Sequence, residues 1–426
     1  MTSLVVWLSG VGPLMAGRAG LFLRVALACV LFVVAATALR RVRTASARAW
    51  GQIVVSVVLI DVLTTHTLTA IMVLYAVVFY GVVEILPAGP MRRGTIVGML
   101  LLQVIGPIWW LPRLPEYVSV VRELVTFATN MTQLRCWAYA YDRRTRTPGA
   151  PPPFRDYALY MFFFPAFVSG PLVSFAEFQR GRLAWYWDDG PPALAAEARA
   201  EGHPIRRVLL GFAALPPVLA LVPMMGLNGY QAATHGALPA WLQAIVIYFG
   251  VYLGFSAWSE SAIGFGRLAG VRLPENFDHA HLSYGVADFW RRWNIRLGLW
   301  MRNYIYVPLG GAHAGRGGPV RGWANIGAVF LATALYHHIG GLKLLGPALF
   351  REPAFYAGWL LWAVWNTPAT ILTRTWRPPP SWSARRIAVV VATFLFSAMA
   401  LLTAFFPIGM GLRPLGVIYR HLLFLP

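Results

Sequence analysis

The chain has 426 residues, of which 58% are hydrophobic and only 12% charged, and its mean hydropathy is +0.58. Globular domains carry about 25% charged residues, so this composition excludes a soluble core with a charged shell and predicts an all-α, polytopic membrane protein. The net charge of +20 comes mostly from arginines scattered between apolar runs, which argues against nucleic-acid binding and for positive-inside topology.

Three arginine clusters punctuate the first 153 residues, which we predict to be a segment of N-terminal transmembrane helices. They lie at residues 40–48, 92–93 and 143–146. The apolar runs between the clusters each fit a pair of membrane crossings, so all three clusters are predicted to lie on the cytoplasmic face. Residues 3–39 lack the basic start, short apolar core and cleavage site of a signal peptide, and we expect them to be retained.

The segment 154–348 opens with an interrupted apolar run. Pro165 and Pro171 prevent a continuous helix there, so the run is expected to bend or to lie partly in the membrane interface. Residues 179–207 are polar and predict an extramembrane loop with a short Ala-rich helix. With the later apolar runs, including C-terminal transmembrane helices and a tail in residues 349–426, the sequence predicts about ten or eleven membrane segments.

The stretch 274–311 concentrates charges within this apolar chain. Charged groups are costly at bilayer depth, so a cluster there is a functional-site hypothesis. Read as one helix, its apolar residues recur at steps of three and four and predict a packing stripe: Trp290, Trp293, Leu297, Trp300 and Tyr304. Asn294 lies on another row with Gly298, whose missing side chain leaves space for a substrate beside the amide.

Five further positions each fit two roles. Asp288 and Arg292, four residues apart, suit either a structural ion pair or a substrate contact. Arg291 and Trp293 are candidates for lining a substrate tunnel or for structural packing. Glu260 lies in an apolar span, where facing lipid is costly, so structural pairing is the favoured role.

The sequence gives no reason to propose a metal site or a disulfide framework. Cys29 and Cys136 both lie in apolar segments without metal-ligand spacing. The Gly-rich loop at residues 310–322 is not a P-loop, and a flexible connection is favoured over a cradle for a donor phosphate.

Four motifs, in the same order along the chain, resemble the membrane-bound O-acyltransferase (MBOAT) family, especially its bacterial branch of alginate O-acetylation and teichoic-acid D-alanylation proteins. They are FFFPAFVSGPLVSFAEF, YFGVYLGFSAWSESAIGFGRLAGVRLPENFD, FWRRWNIRLGLWMRNYIYVPLGG and ALYHHIGG. The resemblance implies an MBOAT-like catalytic core in residues 154–348. Two positions depart from the pattern: His338 stands where glycine is more usual, and Asn294 stands where many alginate-type members have histidine.

The resemblance also implies a reaction, because that family transfers an acyl group from a thioester to a hydroxyl with a buried histidine. It places this histidine at His337, with His338 as the alternative, and gives Asn294 a positioning or stabilising role. An alcohol is a poor nucleophile at neutral pH, so a neutral imidazole within reach must accept its proton. The tetrahedral intermediate needs a hydrogen-bond donor for its oxyanion, and the amide of Asn294 is the candidate.

The same resemblance sets the expected partners. No bound cofactor is expected; the acyl thioester donor would be acetyl-CoA or an acyl carrier protein, approaching from the cytoplasm. The acceptor would be an envelope glycan, a lipid-linked saccharide or a secondary metabolite, and an envelope-side partner protein is a further expectation. The protein is placed among the lipids of the bacterial inner (plasma) membrane as a multi-pass protein.

Two other classes of function remain open from the residues. A transporter or flippase also carries intramembrane charges along a polar pathway, and a non-catalytic membrane scaffold would recruit partner proteins. The histidine separates the first of these from an acyltransferase. An acyltransferase requires it for turnover, whereas a transporter would retain flux without it.

Overall fold

A computed structural model describes residues 18–110, 113, 119–147, 149–167, 170–187, 203–311, 318–345, 350–406 and 410–425. These residues are helical apart from their connections and one isolated antiparallel β-bridge, between Arg182 and Val271, which confirms the predicted all-α class. They form two compact units: residues 1–211 with 258–274, and residues 212–257 with 275–426.

Long apolar helices dominate the described part of the chain. Nine of its helices have 19 or more residues. Four of these are long and apolar enough to cross a membrane: Ala45–Leu63, His66–Glu84, Ala237–Leu268 and Ala384–Ala404. The number of ten or eleven membrane segments stays a prediction, because these four helices were found among the described residues only.

Some predictions fall outside the described residues. These are the start of the span at residues 3–39, the middle of the Gly-rich loop at residues 312–317, and the acidic positions of the polar loop, Asp188, Asp189, Glu197 and Glu201.

The first unit contains ten helices among its described residues. They are α1 (Arg18–Leu39), α2 (Ala45–Leu63), α3 (His66–Glu84), α4 (Pro90–Trp110), α5 (Ser119–Thr145), α6 (Phe154–Phe162), α7 (Phe164–Phe167), α8 (Phe175–Arg180), α9 (Ala184–Trp187) and α10 (Pro204–Ala213), the last ending just beyond the unit's boundary.

The apolar run between the first two arginine clusters is divided into two helices, as predicted. α2 ends at Leu63 and α3 begins at His66. The Thr65 side chain accepts a hydrogen bond from the backbone N–H of Leu68, which satisfies one of the amides that lack a partner at a helix start. The imidazole Nδ1 of His66 lies 2.6 Å from a carboxylate oxygen of Asp61 across the break.

The run containing Pro165 and Pro171 is broken into α6, α7 and α8, as predicted. Each break leaves backbone carbonyl oxygens without a helical partner, which is costly away from water. Buried Arg135 supplies the donors. Its guanidinium donates to the carbonyl oxygens of Tyr160, Met161 and Ala166, at 3.3, 3.1 and 2.6 Å. This buried arginine therefore has a structural role.

The three arginine clusters of the N-terminal segment lie near one end of these helices. Phe154, which follows the third cluster, packs against Trp50 at the start of α2 and Tyr80 near the end of α3, with ring centroids 6.2 and 5.2 Å away. The first cluster precedes Trp50 and the second follows Tyr80. The three clusters therefore lie at a common end of these helices, as predicted, and the assignment of this end to the cytoplasm stays a prediction.

The second unit contains the remaining described helices. They are α11 (Leu215–Leu221), α12 (Leu227–Ala233), α13 (Ala237–Leu268, which also contributes to the first unit), α14 (Val286–Arg292), α15 (Ile295–Met301), a π-helical turn (Arg302–Tyr306), α16 (Gly318–Leu345), α17 (Pro353–Thr373), α18 (Ala384–Ala404) and α19 (Leu412–Leu422), with short 3-10 turns at Val222–Met225 and Ala280–Leu282. α17 packs against α16, α18 and α14, and the π-helical turn packs against α15 and α16.

Candidate functional site

The stretch predicted as one aromatic helix is broken at Asn294. α14 ends at Arg292, and Asn294 has φ 44° and ψ 52°, in the left-handed region. Asparagine adopts this conformation at lower cost than most residues. The prediction of a continuous stripe is therefore wrong, because spacing shows which residues would share a helical face and not whether the backbone continues.

Asn276 holds the start of α15 beyond this break. Its backbone oxygen accepts a hydrogen bond from the N–H of Ile295 at 2.8 Å, and its side-chain oxygen accepts one from the N–H of Arg296 at 3.1 Å. The half-buried Asn294 side chain does not cap the helix, and it forms no hydrogen bond with any described residue. Its amide is thereby left available to a ligand.

The charged residues of this stretch form ion pairs with one another. The Nε of Arg292 lies 3.0 Å from Asp288 Oδ2, and its Nη1 lies 3.1 Å from Asp278 Oδ2. Asp288 Oδ2 also accepts a hydrogen bond from the backbone N–H of Tyr284 at 3.1 Å. Arg291 is exposed, with Nη2 3.5 Å from Asp288 Oδ1. Of the two roles predicted for Asp288 and Arg292, the structure shows the ion pair.

Trp293 is part of the aromatic core. Its ring stacks on Phe289 with the centroids 5.3 Å apart. It also meets three other rings at 5.5 to 5.7 Å, those of Tyr248, Tyr252 and Phe277. These contacts agree with the packing role predicted for Trp293. They also hold in place the residue that directly precedes Asn294.

Two other candidates lie in different surroundings. Glu260 belongs to the first unit, where its carboxylate lies 3.2 Å from Nη1 of Arg207, so the structural pairing favoured from the sequence is present. A Cβ placed on Gly298 would meet only the backbone oxygen of Trp290, at 3.6 Å. The space predicted beside Gly298 is therefore open.

His337 is held in one orientation on α16. Its Nδ1 lies 2.8 Å from the backbone oxygen of Thr333, one turn earlier. A carbonyl oxygen only accepts hydrogen bonds, so Nδ1 carries the proton and the neutral ring presents the lone pair of Nε2. The imidazole stacks on the indole of Trp359 with centroids 4.0 Å apart and an angle of 15°. It is half-buried, which leaves it accessible to a substrate.

His338 lies on another side of the same helix. It is buried, and its ring packs against Tyr356 with the centroids 4.9 Å apart. Adjacent helical residues do not share a face, so the two histidines cannot serve the same position in a reaction.

A chain of aromatic contacts joins the element before Asn294 to the helix of His337. Trp359, beneath the imidazole, packs edge-on to Trp362 at 5.5 Å, and Trp362 packs on Trp290 of α14 at 5.3 Å. The indole N–H of Trp290 donates to the side-chain oxygen of buried Asn366 at 3.0 Å. Within the described residues no hydrogen bond joins Asn294 and His337 directly.

Sequence reasoning missed the contributions of α17 and of Asn276. Trp359, Trp362 and Asn366 recur at steps of three and four in an apolar run, so a buried amide among tryptophans was a readable signal. The role of Asn276 carried no such signal, because its partners lie about 20 residues further along the chain.

Each of the two candidate residues has a chemical property that acyl transfer to an alcohol needs. Nε2 of His337 is a neutral base with a lone pair, and the amide of Asn294 is a hydrogen-bond donor. The described residues contain no cluster of three or more His, Cys, Asp or Glu side chains that would hold a metal ion.

Fold and sequence together define an all-α membrane protein whose candidate catalytic groups lie in its second unit. The family model for MBOAT, the membrane-bound O-acyltransferase family, matches residues 109–342, more than half of the chain. The protein belongs to this family.

Several bacterial relatives are similar over part of the chain. A probable alginate O-acetylase of Pseudomonas syringae pv. tomato is 30% identical over 182 residues, 43% of this chain and 33% of that protein. A peptidoglycan O-acetyltransferase of Helicobacter pylori is 29% identical over 195 residues, 44% of this chain and 34% of that protein. A teichoic acid D-alanyltransferase of Bacillus subtilis is 23% identical over 160 residues, 36% of this chain and 38% of that protein. The match thus spans only about a third of the length of these relatives.

Proposed function

We propose that this protein is a membrane-embedded O-acyltransferase that moves an acyl group, most simply acetyl, from a thioester donor to a hydroxyl group. His337 is the general base, and Asn294 stabilises the oxyanion. The observation that carries the proposal is the fixed imidazole of His337, whose Nδ1 donates to the Thr333 oxygen and whose Nε2 presents a lone pair. A base in this tautomer is what an alcohol nucleophile requires.

The reaction follows from these two groups. The acceptor hydroxyl gives its proton to Nε2 of His337 as its oxygen attacks the thioester carbonyl. The carbonyl oxygen of the tetrahedral intermediate accepts a hydrogen bond from the Asn294 amide. The carbon–sulfur bond then breaks, the protonated imidazole returns its proton to the leaving thiolate, and the products are an ester and a free thiol.

The names of the relatives guide the choice of substrates. They act on alginate, peptidoglycan and teichoic acid, all polymers of the bacterial cell envelope. We therefore propose residence in the bacterial inner membrane and an envelope glycan or a lipid-linked saccharide as acceptor, with a secondary metabolite as the other candidate. Acetyl-CoA or an acyl carrier protein would deliver the acyl group from the cytoplasm, and an envelope-side partner would assist modification of the polymer.

The test uses membranes from cells that produce the full chain. They are incubated with acetyl-CoA labelled in the acetyl group, or with a labelled acyl carrier protein, and the label is followed into glycan, lipid and metabolite fractions by mass spectrometry. We expect ester-linked label that depends on the chain and is released by mild base. If label accumulates in no fraction with either donor while the chain is folded and inserted, the proposed transfer is refuted.

The same membranes separate transfer from transport. His337→Ala abolishes ester formation if the protein is an acyltransferase. A transporter would move a candidate substrate across the membrane with or without this imidazole, and would form no ester bond.

A further inference from the structure

The first unit holds a basic cavity that the proposed chemistry does not use. It has a volume of about 480 Å³ and lies between the end of α3, the start of α4 and the end of α5. We call it the arginine cavity after four of its lining residues, Arg92, Arg93, Arg143 and Arg144. Glu84 is the only acidic residue among those that line it, so the lining carries an excess of three positive charges.

Glu84 is already satisfied and cannot neutralise the other arginines. Its two carboxylate oxygens accept hydrogen bonds from Nε and Nη2 of Arg143 at 2.7 and 2.9 Å. The Tyr139 hydroxyl donates a third, at 2.8 Å. Arg143 also donates to backbone oxygens of the loop after α5, including that of Gly149. This pair forms one wall of the cavity.

The other three arginines retain free donor capacity. Arg92 uses one nitrogen on the carbonyl oxygens of Val83 and Leu86, each at 3.4 Å, at the end of α3. The guanidinium groups of Arg93 and Arg144 make no hydrogen bond or ion pair with any residue that the structure describes. Guanidinium groups are the side chains best matched to phosphate, because their planar donors bind its oxygens in pairs.

An exposed apolar row runs from the cavity along α4. Arg93 begins a row on α4 that repeats every four residues and continues through Val97, Leu101 and Ile105, which are 55%, 52% and 50% exposed. Twelve residues of helix rise about 18 Å. That length is close to half of the roughly 30 Å hydrocarbon core of a bilayer. The row is therefore about as long as one leaflet is deep.

We propose that the arginine cavity binds the phosphate headgroup of an anionic phospholipid, with an acyl chain lying along the Val97, Leu101 and Ile105 row. Basic recesses beside membrane helices attract anionic headgroups, and the arginine clusters lie on the face where positive-inside topology places such lipids. A soluble phosphorylated ligand would use the same guanidinium groups but would leave the apolar row unused.

The experiment is native mass spectrometry of the full chain in detergent, titrated with dioleoylphosphatidylglycerol or dioleoylphosphatidylcholine. Each arginine near an anionic membrane surface strengthens lipid binding several-fold. The double variant Arg93→Gln/Arg144→Gln should therefore weaken phosphatidylglycerol binding by about ten-fold or more. The matched control, Arg41→Gln/Arg43→Gln, removes the same charge from exposed arginines of another cluster on the same face. We expect it to change binding by less than about two-fold.

A second variant tests the cavity without removing charge. A Cβ placed on Gly89, in the cavity wall, meets no atom within 4 Å, so the fold leaves room for a side chain there, and Gly89→Phe is chosen to occupy that room. It should weaken binding of phosphatidylglycerol as strongly as the double arginine variant. Thermal unfolding in lipid-free detergent verifies that each variant is folded.

Three results would overturn the proposal. They are equal affinity for the two lipids, an equal loss in the Arg41/Arg43 control, and full retention of binding in Gly89→Phe. Displacement of phosphatidylglycerol by millimolar inorganic phosphate would also overturn it, and would assign the cavity to a soluble phosphorylated ligand instead.

Discussion

Replacing Asn294 by glycine tests whether its side-chain amide has a catalytic or a structural role. The backbone at this position is left-handed, with φ 44°, a conformation that glycine adopts without strain. The Asn294 side chain makes no hydrogen bond with a described residue, so Asn294→Gly removes no contact within that part of the protein. The fold should therefore lose less than about 1 kcal/mol, the entropic cost of an added glycine.

The effect on turnover should be far larger. Removal of one oxyanion donor lowers kcat by about 100- to 1,000-fold, or roughly 2.7 to 4 kcal/mol of transition-state stabilisation. Asn294→Ala removes the same amide but, unlike the glycine variant, keeps a Cβ, which costs about 1 to 2 kcal/mol in left-handed backbone. The two variants should thus share the loss in kcat and differ in melting temperature.

The assay is initial-rate acyl transfer at saturating donor, with thermal unfolding of the same preparations in detergent. An oxyanion role predicts a fall in kcat with KM for the donor little changed. The reasoning is refuted if Asn294→Gly keeps wild-type kcat, or if activity across the two variants tracks melting temperature, since the amide would then act only through the fold.

Three further predictions concern the scaffold, and thermal unfolding in detergent checks each. In a double-mutant cycle of Trp290→Phe and Asn366→Leu, the coupling free energy between the two residues should be about 0.6 to 1.7 kcal/mol, as for other interhelical hydrogen bonds in membranes. If the destabilisations of the two single variants simply add, the Trp290–Asn366 bond contributes nothing. Gly270→Ala should destabilise by at least about 2 kcal/mol, because φ is +89° and the new Cβ would lie 2.5 Å from the Tyr186 ring. Gly81→Ala, with open space in a helix, is its control and should be neutral or stabilising. Arg135→Met leaves three carbonyl oxygens without their donor and should cost about 3 kcal/mol or more; an unchanged melting temperature would contradict this.

Composition and local breaks were enough to predict the class of fold. The low charge content predicted a helical membrane protein, and Pro165 and Pro171 predicted the interruption that the structure shows as three short helices. The common face of the arginine clusters also followed from span lengths and charge. These features depend on residues close together in sequence, or on the chain as a whole.

The break at Asn294 could not be predicted in the same way. The apolar spacing from Trp290 to Tyr304 is compatible with one helix, and local propensity gives no reason to end it. The break is stabilised by Asn276, whose oxygen atoms satisfy the first amides of α15. A contact between residues so far apart in sequence is a property of the tertiary fold, and so is the stacking of His337 on Trp359.

In the proposed reaction His337 takes the proton from the acceptor hydroxyl. The most direct measurement compares acyl transfer by purified wild-type protein, His337→Ala and His338→Ala, reconstituted into the same lipid and matched for folded protein by thermal unfolding. General-base catalysis contributes about 100- to 10,000-fold, so His337→Ala should lose at least that much activity, whereas His338→Ala, whose ring packs against Tyr356, should stay within about ten-fold of wild type. Wild-type turnover by His337→Ala would contradict the account, and an inactive His338→Ala beside it would move the base by one residue.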